Sequence, residues 1–154
     1  MDRVLATVAA VLLSAGCSRH PSNTDRATQS GARPAAGAIE PVCEGGTAAC
    51  RIGERLRFRV DASDSRRWLA VSAERADDPA SARIWFFPGA DGVAPEIPIA
   101  PEAAVLPRTV ELGSELRPGL YRLTILVFDH PPTRDEATSG ATAKLRLFRA
   151  LEIH

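Results

Sequence analysis

Apolar and polar residues along this chain alternate with a period of two far more often than with the period of a helix. From Arg55 to Asp61, Leu56, Phe58 and Val60 alternate with Arg55, Arg57, Arg59 and Asp61. A strand there turns one row of side chains to a core and the other to solvent. Further strands are predicted at Trp68–Glu74, Arg83–Phe87, Glu96–Ala100, Arg108–Leu112, Gly119–Asp129 and Lys144–Ile153. Gly119–Asp129 is the longest, and its far end is apolar on both faces at Leu126 and Phe128, which marks a central strand. In Lys144–Ile153 the alternation slips around Phe148 and Arg149, as it would at a bulge. Thr133-Arg134-Asp135-Glu136 has the spacing of a capping box, predicting a short helix that ends near Gly140. About seven short strands, turns between them and at most one short helix predict an all-β fold. The expected architecture is a compact antiparallel β-sandwich, Ig-like or an open-barrel variant.

The first forty residues follow a different pattern. Val4–Leu13 is uniformly apolar, too short for a membrane span of about twenty residues but suited to the apolar centre of a secretion signal. From Ser18 to Pro41 no large apolar residue precedes Ile39, and Ser, Thr, Ala, Gly and Pro dominate. Such a segment cannot bury enough surface to offset its ordering entropy. The expected organisation is a signal peptide over 1–16, a cysteine and flexible tether over 17–41, and a β domain over 42–154.

The junction Leu13-Ser14-Ala15-Gly16-Cys17 resembles the lipobox of bacterial lipoproteins, with Ser14 where that family usually has leucine. The resemblance implies lipidation of Cys17, which would become the mature N-terminus. It places the protein in the bacterial cell envelope, with the membrane as a partner through the lipid; Ser18 fits outer-membrane sorting. An ordinary secretory cut nearby is the alternative. Of the three cysteines, Cys43 and Cys50 then remain as a natural disulfide pair in an exported protein. Gly45-Gly46 between them suits a tight turn. Two thiols with no histidine nearby make a poor metal site.

Composition narrows function mainly by exclusion. Nineteen basic residues balance nineteen acidic ones, so no net field points to nucleic acid. There is no nucleophile elbow, phosphate loop or dinucleotide fingerprint. Asp61–Ser65 lacks the glycine and glutamate of a calcium loop and reads as a turn. His130 and His154 have no partner in a recognisable catalytic arrangement. No catalytic residue, metal or cofactor is therefore nominated. Two surfaces are candidates for binding. Arg55, Arg57 and Arg59 form a row that meets acidic groups or pairs with glutamates on neighbouring strands. Trp85 and Phe87 either pack in the core or form an exposed aromatic platform.

Several body segments, among them CRIGERLRFRV, IWFFPG and PGLYRLTILVF, together resemble a family of bacterial envelope domains of unknown function. The resemblance implies a small β domain and no enzyme activity. The reading that follows is a lipid-anchored binding module for an envelope protein or cell-wall component. A secreted unlipidated domain, a structural spacer and an enzyme with an unrecognised site are the alternatives.

Overall fold

Each alternating segment has one apolar face to bury, and in the computed structural model two sheets bury those faces against each other. The structure describes residues 38–46, 49–61, 63 and 65–154. The leader, Cys17 and the tether as far as residue 37 lie outside the described residues. The elements in chain order are β1 (Ile39–Cys43), β2 (Ala49–Cys50), β3 (Arg55–Val60), β4 (Arg67–Arg75), β5 (Ile84–Phe87), β6 (Glu96–Ile97), β7 (Ala104–Val105), β8 (Val110–Glu111), β9 (Gly119–Phe128), α1 (Arg134–Ser139) and β10 (Leu145–Ile153). The smaller sheet centres on β3, which pairs with β1, β7 and β8. The larger runs β2-β10-β9-β4-β5, with β6 also on β4. All these pairings are antiparallel except that of β2 with β10. The chain is thus the all-β sandwich its alternation predicts, and β9 is central, between β4 and β10.

Between the sheets, Leu56, Phe58 and Val60 of β3 meet Leu69 and Val71 of β4 and Tyr121, Leu123, Ile125 and Val127 of β9, all buried. The hydroxyl of Tyr121 accepts from the Arg117 amide and donates to the Arg117 carbonyl, both at 3.0 Å. This bond back to the preceding turn satisfies a buried polar group and fixes where β9 begins. A second, smaller apolar cluster lies on the outer face of the larger sheet. There Ala137 of α1 covers Ala70, Leu126 and Phe128, which explains why the end of β9 is apolar on both sides. α1 has its expected capping box, with the Thr133 side chain accepting from Glu136 and Glu136 returning to Thr133, and it ends at Gly140 with φ 61°.

Cys43 and Cys50 form the expected disulfide, with Cα atoms 5.3 Å apart. Because Cys43 ends β1 and Cys50 ends β2, the bridge joins the smaller sheet to the larger. Gly46 makes the intervening turn at φ 69°, its amide donating to the Cys43 carbonyl.

Two expectations need correction. β1 begins at Ile39, ahead of the domain boundary expected at 42, and was not predicted as a strand; Ile39 is itself buried in the core, so the domain reaches into the segment read as tether. β10 keeps an unbroken register with β9 from Leu145 to Ile153 and has no bulge at Phe148. The bulge lies instead in β5. Trp85 stands opposite Ser72 and Phe87 opposite Val71, which leaves Phe86 as the extra residue. Strict alternation breaks there, and both Phe86 and Phe87 enter the main core.

Candidate binding face

The outer face of the larger sheet carries a row of side chains set by register alone. Trp85 stands opposite Ser72, Ser72 opposite Thr124, and Thr124 opposite Phe148. The row therefore begins and ends on an aromatic ring. Trp85 is half-buried against the cluster beneath α1, whereas Phe148 is 54% exposed. Two residues further along the strands, on the same face, Glu74 stands opposite Arg122.

Glu74 joins the two rings through two arginines. It accepts from Arg83 at 2.6 Å and from Arg122 at 2.9 Å. The Arg83 guanidinium lies 5.8 Å from the centre of the Trp85 ring, and that of Arg122 lies 5.9 Å from the centre of Phe148. Each is a cation–π contact worth about 0.5–1 kcal/mol at an exposed site. The hydrogen bonds from Arg122 and then Arg83 hold the Glu74 carboxyl below its ordinary pKa, against a smaller opposing effect of burial. Glu74 stays ionised, and the ladder Trp85–Arg83–Glu74–Arg122–Phe148 keeps one net positive charge. Its parts are those enriched at the energetic centres of protein interfaces, aromatic rings and arginine held in place before contact.

The other candidates fall elsewhere. Arg55, Arg57 and Arg59 line the outer face of the smaller sheet, on the far side of the sandwich from Trp85, because Leu56, Phe58 and Val60 point inward. Arg59 binds Glu40 at 2.6 Å, Arg57 lies 4.0 Å from Glu44, and Arg55 faces Glu111 across the pairing with β8. This is the paired, solvated face. Phe87 is excluded from any surface: it is 2% exposed and packs edge-on against Phe58 with ring centres 5.9 Å apart. His130 lies 3.2 Å from Glu136 and 3.5 Å from Asp129. Both carboxylates already have partners, Glu136 in the helix cap and Asp129 with Lys144 at 3.2 Å. Among the described residues no three or more His, Cys, Asp or Glu side chains converge as metal ligands would, and no helix is long and apolar enough to cross a membrane.

Glu74, Arg83, Arg122 and Phe148 were not singled out by the sequence. The one available signal was the slip in β10. It marks an exchange of places, with Phe148 in the solvent phase of the alternation and Arg149 in the core phase. Compared with family models, curated proteins and solved structures, the chain matches none, so the reading of this face rests on its own residues.

Proposed function

We propose that this protein is an exported bacterial envelope protein, anchored by lipid on Cys17, whose β-sandwich is a binding module. Its recognition face is the outer surface of the larger sheet, and its target is a partner protein or a cell-wall component. The observation that carries this reading is the ladder from Trp85 to Phe148, in which Glu74 fixes two arginines beside two aromatic rings. A disulfide between buried cysteines supports an oxidising compartment, and the apolar leader ending at Cys17 supports export and anchoring.

Site-specific photo-crosslinking in the native envelope tests the reading. A photoreactive residue at position 148 should give a discrete adduct, and the same residue at position 57, on the opposite face, should give none. Trp85→Ala should diminish the adduct from position 148. Equal adducts from both positions, or none from 148, would refute the assignment of the face. Anchoring is tested separately: Cys17→Ser should move the protein from the detergent phase to the aqueous phase. An intact mass showing an unmodified N-terminus at another residue would refute it.

A further inference from the structure

β10 presents an open edge of the larger sheet. It pairs with β9 along its whole length, Leu145–Ile153, yet on its other side β2 meets only Glu152 and Ile153. At Arg149 the edge is closed differently. The guanidinium donates to the Ile39 carbonyl of β1 at 3.1 Å and to the Phe148 carbonyl at 2.9 Å. What remains, from Leu145 to Phe148, has no strand beside it among the described residues.

The side chains along this edge are suited to pairing. Leu145 and Leu147 are half-buried and pack on the main core from its rim, while Phe148 projects from the opposite face. An incoming strand would extend both faces. No proline interrupts β10, and the strand is nine residues long, so two of the usual protections of an edge are absent. The third protection, charge, is present with one sign. Arg146 and Arg149 make no ion pair with a carboxylate among the described residues. By contrast Arg57, Arg59, Arg75, Arg83, Arg108 and Arg122 all do.

That charge selects the occupant. A second copy of the open segment, paired about Arg146, would set arginine against arginine, whereas a strand carrying acidic residues on that face would supply the missing carboxylate. We infer that the open edge of β10 accepts an extended segment of a partner protein with alternating apolar and acidic residues, added as a further strand of the larger sheet. Backbone hydrogen bonds along Leu145–Phe148 supply affinity, and Arg146, on the same face as Phe148, selects the sign of charge. This goes beyond the outer-face reading and does not depend on it.

The test uses full-length protein in detergent and three fluorescein-labelled ten-residue peptides, followed by fluorescence anisotropy. One alternates valine and glutamate, the second alternates valine and lysine, and the third is the glutamate peptide with alternate amides N-methylated. The glutamate peptide should bind, and the other two at least tenfold more weakly. Arg146→Glu and Arg146→Ala should each weaken binding of the glutamate peptide, the former by at least tenfold, with unchanged melting temperature since Arg146 is exposed. Trp85→Ala, which disrupts the outer-face ladder, should leave this binding unchanged. Absence of binding, equal binding of the lysine or N-methylated peptide, or occupation of the edge by a second copy, seen as concentration-dependent dimerisation lost in Arg146→Glu, would overturn the inference.

Discussion

Trp85 and Phe87 are two residues apart on a short strand, and regular alternation would place them on the same face. With Phe86 as an extra residue they lie on opposite sides of the sheet. Replacing each by alanine therefore tests the bulge. Phe87 is 2% exposed and ringed by core side chains. Losing its buried surface costs about 1.5–3 kcal/mol by transfer. If roughly 50–100 Å³ stays open afterwards, about 24 cal/mol per Å³ adds a further 1–2.5 kcal/mol. The expected loss is about 3–5 kcal/mol, consistent with other Phe→Ala changes in cores. Trp85 is half-buried on the outer face, and solvent can fill the space its ring leaves. Its loss should cost about 1–2 kcal/mol. At about 4 °C per kcal/mol for a domain of this size, Phe87→Ala should lower the melting temperature by about 12–20 °C and Trp85→Ala by about 4–8 °C. Thermal unfolding followed by circular dichroism reads both. Equal losses would mean that the two rings share a face, and the bulge account would fail.

Replacing Cys43 and Cys50 together by serine should cost about 2.5 kcal/mol, the chain-entropy value for so short a loop, measured as a shift in urea midpoint; no shift would show that the clasp is idle. Tyr121→Phe should cost about 1–3 kcal/mol, because both the amide and the carbonyl of Arg117 lose their partner; a loss near zero would show that water replaces the hydroxyl. The Glu74 carboxyl has its pKa lowered in the folded state by Arg122 and Arg83, so the unfolded chain binds protons more readily. The stability this contributes is complete above the ordinary value of 4.5 and is lost as pH falls through the lowered folded value. Wild-type urea midpoints should therefore fall more steeply below about pH 4.5 than those of Glu74→Gln; parallel curves would contradict the ladder.

What could be read from the sequence is what depends on neighbours along the chain. The alternation of β3, the two-sided apolar end of β9 and the Thr133–Glu136 cap each follow from a few consecutive residues. The Cys43–Cys50 link was legible because the lipobox resemblance assigned the third cysteine elsewhere. The ladder was not legible, because Glu74 and Arg122 are separated by 48 positions and meet only through the register of β4 with β9. The β5 bulge was hidden for a similar reason. Ile84, Trp85, Phe86 and Phe87 are all large and apolar, so the sequence offers no polar phase against which an extra residue would show. In β10 the irregularity was visible but its physical form was not: an exposed aromatic beside an inward arginine disturbs the pattern as much as an inserted residue does. The two-residue strands β2 and β7 are too short to carry a period, and neither was predicted.

The disulfide also determines how the domain bears load. A pull from the N-terminal side enters at Ile39, where the Arg149 guanidinium holds the carbonyl, and runs along β1 against β3. Peeling can proceed residue by residue from Ile39 to Cys43. There the force passes through sulfur to Cys50, whose strand is paired with β10, and from β10 it spreads into the larger sheet. The part that yields first is a single five-residue strand, and beyond it the force acts on the larger sheet. The clasp is thus a mechanical stop: it limits how much chain can be drawn out before the load reaches the larger sheet.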